Sequence, residues 1–461
     1  MIKKILQKIG IDDAIFYVLL GKVSSILSGL AIILLIPYFM SEQVQGYYYT
    51  FSSVVALQII FELGLSTVIT QFASHEMVGL KYDIGSHSLS GEEKNRQRYL
   101  SLVRLSIKWY CAVSLLIVCL IGPLGLKFFL SEANQGVDWI SAWVVLVIAT
   151  ALNLLFISIT SIAEGSGLVA HVNKMRAIQS LITATFAVVF IVSGIGLYAT
   201  AASALSGCIV FFAFSRKYFK NIIKDALLSG RDKNNNVHRI SWVKEILPMQ
   251  WRIALSWMAG YFIFFTMTPI SFKFLGAVYA GKLGMSLTLC NMIMATGLAW
   301  ISTKYARWGG YIAGGKRNEL NHSYKTSLIQ STLFIGICLI GALICLIIFG
   351  HLGLKFTQRF FEPSQFCFLA LAIIGNHIVA CMATYIRVHK TEKMTWASVV
   401  MAILTTTGML IIAYFKLESF YIISYCILIW VYFVPQSFYI YIKFKENYEK
   451  QFIADNSNSN L

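Results

Sequence analysis

The sequence predicts an all-α polytopic membrane protein of about twelve spanning helices, and three observations carry that reading. Of 461 residues, 57% are hydrophobic and only 13% charged, with a mean hydropathy of +0.69, whereas soluble domains carry about 25% charge. The apolar residues gather into runs close to the ~20 residues that cross a ~30 Å hydrocarbon core. The basic residues are sorted by side: with the N-terminus inside, 30 of the 38 Lys and Arg fall in cytoplasmic segments or at the inner ends of spans, and six in outer segments or at the outer ends.

Taken in order, the runs cover roughly 14–39, 46–72, 102–122, 139–160, 177–194, 197–214, 249–272, 282–302, 327–350, 365–386, 395–415 and 419–442. The first is long enough to span and lacks a small-residue cleavage site, so it is expected to stay as helix one. The second opens on Tyr47, Tyr48 and Tyr49, where an interfacial aromatic belt would sit. Outer loops are short, the longest near 123–138 and 350–364, and the longer inner loops at 73–101 and 215–248 are basic. An even number of spans places both termini in the cytoplasm. Six prolines and few polar stretches leave no room for a separate soluble domain.

The flexible stretch SGRDKNNNVHR, Ser229 to Arg239, divides six spans from six. The boundaries expected are an N-terminal lobe 1–228, a connector 229–248, a C-terminal lobe 249–442 and a cytoplasmic tail 443–461. The lobes echo each other: Gly64, Leu65, Thr70 and Ala73 recur as Gly297, Leu298, Thr303 and Ala306 at a constant offset of 233 residues. Lys22, Gly29 and Pro37 of span one find Arg252, Gly260 and Pro269 in span seven. Two six-helix lobes, each starting inside, are related by a pseudo-twofold along the membrane normal, a plan on which a transporter's central cavity is built.

Polar residues inside apolar spans mark candidate sites, since a carboxylate at mid-membrane costs roughly 2.5 to 3.5 kcal/mol on insertion scales. Glu62 lies near the middle of span two with Gln58 on the same helix face. Glu62 either pairs with Lys22, bonds between helices, or serves as a proton, cation or sugar site. Lys22 and Arg252 either snorkel to the inner interface or line one cavity from matching places in the two lobes, where a cation suits an anionic headgroup. Asn153 and Asn291, like Asn376, are either helix-packing hydrogen bonders or ligands. Gly29, Gly64, Gly260 and Gly297, with Pro37 and Pro269, could permit bends of spans one and seven.

Catalytic signatures are absent. There is no Walker loop, no HExxH, no carboxylate pair on an outer loop and no metal-ligand spacing among the eight histidines. Nine cysteines without a CxxC read as small core residues. No catalytic residue, metal or nucleotide cofactor is expected, and the net charge of +17 is membrane topology, not nucleic-acid binding.

The opening LLGKVSSILSGLAIILLIPYF, followed by QGYYYTFSSVVALQIIFELGLSTVITQFASHE, resembles the O-antigen and polysaccharide repeat-unit flippases of bacterial inner membranes, of the multidrug/oligosaccharidyl-lipid/polysaccharide exporter (MOP) superfamily. The resemblance implies a MATE-like fold and a substrate of undecaprenyl-diphosphate-linked oligosaccharide, moved to the periplasmic leaflet by alternating access. It further implies a proton or sodium gradient as the drive, a polysaccharide polymerase and chain-length regulator as partners, and the inner membrane as location. Lys22 and Arg252 fall where related flippases carry cavity bases, and Glu62 where they carry an acid; Gln58, Asn153 and Asn291 complete the expected substrate set. The rivals are a drug exporter of the same fold, whose cavity should be acidic and aromatic, and an enzyme that polymerises or ligates lipid-linked sugars, which should bring a sizeable outer loop.

Overall fold

The structure, a computed structural model, describes residues 13–83, 87–130, 136–228, 240–389 and 391–458. Among these, eleven helices are long and apolar enough to cross a membrane, and a bent pair makes twelve. Their outer faces expose large apolar side chains such as Leu27, Leu34, Ile337 and Val431, as hydrocarbon contact requires. The protein is a multi-pass membrane protein.

Span one is α1 (Asp13–Phe39). Span two is segmented into α2 (Glu42–Val55), α3 (Gln58–Glu62) and α4 (Leu65–Glu76), with a 42° bend before α4. The break has a local cause, because Leu63 and Gly64 both adopt left-handed backbone, at φ 54° and 65°. Span three is α5 (Glu93–Leu116) running through a π turn into α6 (Gly122–Leu130). Then follow α7 (Ile140–Gly165), α8 (Val169–Val192), α9 (Tyr198–Tyr218) and the short α10 (Lys220–Leu228). Span seven comprises α11 (Leu247–Phe264) and α12 (Met267–Leu275), and span eight α13 (Ala277–Ser302), continued by α14 (Tyr305–Ala313). The last four are α15 (Arg317–His351), α16 (Pro363–Val388), α17 (Thr395–Tyr414) and α18 (Glu418–Leu428), which passes through a π turn into α19 (Val434–Asn458).

Prolines explain most of the irregularity. Three π turns, Ile117–Ile121, Trp242–Ile246 and Ile429–Phe433, each end two residues before a proline: Pro123, Pro248 and Pro435. A proline ring collides with the carbonyl four residues back, and widening the preceding turn moves that carbonyl aside. Pro363 starts its helix, Pro269 sits in a first turn and Pro37 in a last turn, where the lost N–H matters less.

The all-α expectation has one exception. Within the loop 73–101, β1 (Leu80–Asp83) pairs antiparallel with β2 (Ser88–Gly91), with Leu80 opposite Gly91. Tyr82 pins the hairpin down: its hydroxyl donates to the Tyr218 carbonyl at 2.6 Å and its ring stacks on Phe219. The hydroxyl is pushed up to about 12 by burial, helped by Tyr218 and Asp83.

Contacts divide the chain into Met1–Tyr261 and Phe262–Leu461. The division falls inside α11, because Ile253 and Trp257 press on Gly64 and the Tyr261 hydroxyl meets the Ser53 carbonyl at 3.4 Å. In the first unit, Tyr47, Phe51, Phe129, Trp139 and Trp143 form an aromatic core. Tyr47, Tyr48 and Tyr49 are all buried, so they are not the interfacial belt expected of them; α2 sinks its aromatic residues into protein. The second unit centres on Trp308, Tyr324 and Tyr385, with His377 buried against Ser331 at 3.0 Å. All nine cysteines are free; Cys208, Cys290, Cys381 and Cys426 are buried, while Cys111, Cys119, Cys345 and Cys367 are exposed and so not core residues.

Candidate functional site

The first unit contains a cavity of about 570 Å³, walled by α1, α2, α3, α7, α8 and α9. That volume lies within the ~300–1,000 Å³ of ligand sites. Its polar lining comprises the amides of Gln58, Asn153 and Gln179, together with hydroxyls such as Ser28, Thr150 and Thr183. Among the described residues, no carboxylate, lysine or arginine lines it, and Tyr48 is the titratable side chain in the lining. The lining of this cavity, which lies within the first unit, is therefore uncharged among the described residues, with polar groups set among apolar ones.

Helix packing fixes these groups. The Asn153 amide nitrogen donates to the carbonyls of Ala149 at 3.1 Å and Ala204 at 2.9 Å, tying α7 to α9. Its Oδ1 is buried with no hydrogen-bond partner among the described residues. Asn153 thus packs helices through its amide nitrogen, the first of the two readings its sequence position allowed, and it is also among the residues that line the cavity. Ser203 donates to the Thr183 carbonyl at 3.0 Å, joining α9 to α8. Along the α1–α8 seam, Gly21 lies against Ala177 and Ser25 meets Ser180 at 3.0 Å, the small-residue packing that membrane helices favour.

Glu62 is one turn beyond Gln58 but does not line the cavity. It is 7% exposed, and the Tyr110 hydroxyl of α5 reaches its Oε1 at 3.4 Å. The break at Leu63 and Gly64 follows directly, so a buried carboxylate sits beside backbone that has left the helical ladder. Such interrupted helices are where transporters place ion and substrate contacts. Lys22 is exposed, is not among the cavity's lining residues and makes no ion pair with Glu62 among the described residues. Arg252 lies on α11, but its side chain is outside the described residues. Asn291 is exposed on α13 of the second unit. The structure thus brings Gln58 and Asn153 to one cavity, sets Glu62 one turn from Gln58 outside its lining, and does not place Lys22 or Asn291 in that cavity.

Sequence reasoning passed over Gln179, Thr150, Thr183 and Tyr110. A signal existed for two of them: Gln179 and Thr183 sit one turn apart in the otherwise apolar AIQSLITATF. It also missed a polar cluster at the end of span two. Arg98 Nε bonds both Glu76 oxygens, at 2.9 and 3.0 Å, while Nη2 bonds Glu245 at 2.8 Å. Burial opposes the charge on Glu245, yet hydrogen bonds from Ser241 N–H and Arg98 hold its carboxyl below the usual range.

The helices follow one another as in the MATE-like fold. Solved structures share it: an inward-facing multidrug resistance MATE family transporter of the MOP superfamily matches with a TM-score of 0.54 at 12% identity, covering 89% of this chain and 97% of that one. A MOP superfamily transporter from Pyrococcus furiosus matches with a TM-score of 0.52 at 12% identity, covering 92% and 94%. More particularly, the lipid II flippase MurJ in an inward closed conformation matches with a TM-score of 0.58 at 15% identity, covering 94% and 87%. At such identities the likeness is one of fold. No family model and no curated protein sequence matches the chain.

Proposed function

We propose that the chain flips an undecaprenyl-diphosphate-linked oligosaccharide, an O-antigen repeat unit, from the cytoplasmic to the periplasmic leaflet of the bacterial inner membrane by alternating access. The observation that carries this reading is the neutral cavity, whose amides and hydroxyls suit sugar hydroxyls. A diphosphate-sugar cannot cross hydrocarbon unaided, because its charges and hydroxyls would go unsatisfied. Similarity in fold to a lipid II flippase supports a lipid-linked cargo. A cavity for cationic drugs should instead carry acidic residues, and none lines this one. The chain performs no covalent chemistry in this reading.

Gln58 and Asn153 contact sugar, Lys22 and Arg252 hold the diphosphate, and Glu62 and Asn291 contact substrate or rearrange during the switch. A proton or sodium gradient drives the cycle, and a polymerase and chain-length regulator receive the product. The test is translocation of a fluorescent lipid-linked oligosaccharide in proteoliposomes, together with surface polysaccharide in a deletion strain complemented by variants. Gln58→Ala with Asn153→Ala should cut flipping at least tenfold, and neutralising Lys22 or Arg252 should abolish surface polysaccharide at unchanged membrane abundance. Unimpaired flipping and polysaccharide in all of these variants would overturn the assignment. Glu62→Gln should leave the protein folded but make flipping insensitive to an imposed ion gradient.

A further inference from the structure

A second cavity, of about 420 Å³, opens between α8 and α9 at the end where α8 begins and α9 finishes. Its rim is basic and aromatic: Lys174 and His171 come from the first two turns of α8, and Lys217 and Tyr218 from the last turn of α9. Both lysines are exposed, and none of the lining residues is a carboxylate. The nearby Glu164 is already committed to an ion pair with Arg176. Lys217 leans on the Tyr218 ring, 5.1 Å from its centroid, and Lys174 lies 5.9 Å from that of Tyr17.

Below the rim the character changes. Ile178 lies one turn deeper than Lys174, and Ala213 and Ile209 lie one and two turns deeper than Lys217. Ile209 is 68% exposed and Ile178 42%, so this floor is open along its length to the surrounding hydrocarbon. Cations at the interface above an apolar trough are matched by an anionic amphiphile, and basic recesses between spanning helices at the cytoplasmic side suit lipid phosphates. The polar cavity is served by a different face of α8, carrying Gln179 and Thr183, so an occupant here does not share the sugar site.

We propose that this groove binds an anionic glycerophospholipid, with Lys174 and Lys217 holding its phosphate and an acyl chain lying over Ile178 and Ile209. The inference does not depend on the flippase reading. It is tested by native mass spectrometry of the full chain in detergent with equimolar phosphatidylglycerol and phosphatidylcholine of identical acyl chains. The protein should retain at least fivefold more phosphatidylglycerol, and added salt should erode that preference. Lys174→Gln with Lys217→Gln should reduce it to within twofold, whereas Lys220→Gln with Lys224→Gln, removing equal charge at adjacent exposed positions, should preserve it. Ala213→Trp, which fills the trough without changing charge, should also lower retention; monodisperse elution shows that each variant is folded. Equal retention of the two lipids by the parent chain, equal loss in the control pair, or stronger capture of undecaprenyl phosphate than of phosphatidylglycerol would overturn the proposal, the last by making the groove a carrier site.

Discussion

Glu62 and Glu76 are both buried carboxylates on span two, and their charges are answered differently. Glu76 receives two bonds from Arg98, while among the described residues Glu62 receives one long bond, from Tyr110. A buried carboxylate needs close partners, and Glu76 has them in a structural cluster. Arg98→Ala should therefore destabilise the protein. Charge-assisted hydrogen bonds are worth about 1.5–3 kcal/mol, and partial exposure of Arg98 and Glu245 screens the cluster, so the expected loss is about 1–2 kcal/mol in a thermal or denaturant melt. The pH dependence has a definite sign. Glu245 is depressed in the folded state, so its contribution is complete above the unfolded carboxylate value of about 4.3 and disappears as pH falls through the lower folded value. The stability gap between parent and Glu245→Gln should stay flat from about pH 8 to 5 and close below about pH 4; a gap that closes near neutrality would disprove the assignment. None of this was legible in the sequence, because Arg98 is 22 residues from Glu76 and 147 from Glu245. The nearness of Gln58 to Glu62 was legible because one turn of helix joins them.

Twelve apolar runs were readable as spans because length and hydropathy alone define them; the breaks within them were not. The glycines and prolines of spans one and seven were readable either as packing features or as places to bend. Span one is continuous and span seven is interrupted between Phe264 and Met267, while the bend of 42° lies in span two, where Leu63, an ordinary helix former, is forced to positive φ beside Gly64. The repeated sequence misleads here: Gly297, the counterpart of Gly64, lies inside the continuous α13 and packs on Ile335, and the interruption comes later, before Tyr305. Tertiary contact decides between the two outcomes. At Gly64 a Cβ would strike the Ile253 side chain and crowd the Trp257 indole, in a backbone conformation that L residues disfavour by about 1–2 kcal/mol. Adding overpacking of about 1–3 kcal/mol, Gly64→Ala should lower the melting temperature clearly, while Gly260→Ala, whose Cβ meets nothing within 4 Å, should not. Equal melting of the two variants would show that the turn is not held by this contact.

For the molecule as a whole, the status of the bent pair sets the topology. If Glu42–Glu62 and Leu65–Glu76 together cross the membrane, the chain has twelve spans and both termini share one side; if they form a re-entrant loop, it has eleven and the termini are opposed. Charge decides between these parities. With twelve crossings, 30 of 38 basic residues fall on one side, whereas an even-to-odd change after the first span would move the basic segments 73–101 and 215–248 away from the N-terminal Lys3, Lys4 and Lys8. Each basic residue near a span end biases retention in the cytoplasm, so the twelve-span arrangement is the one the charges reinforce throughout. A green fluorescent protein fused after Leu461 should fluoresce, since it matures only in the cytoplasm, and alkaline phosphatase fused at Thr357, between α15 and α16, should be active. A dark C-terminal fusion combined with inactive phosphatase at Thr357 would make span two a re-entrant loop. Glu62 would then sit at the tip of a hairpin opening to one side only, and the part proposed for it in an alternating-access cycle would be lost.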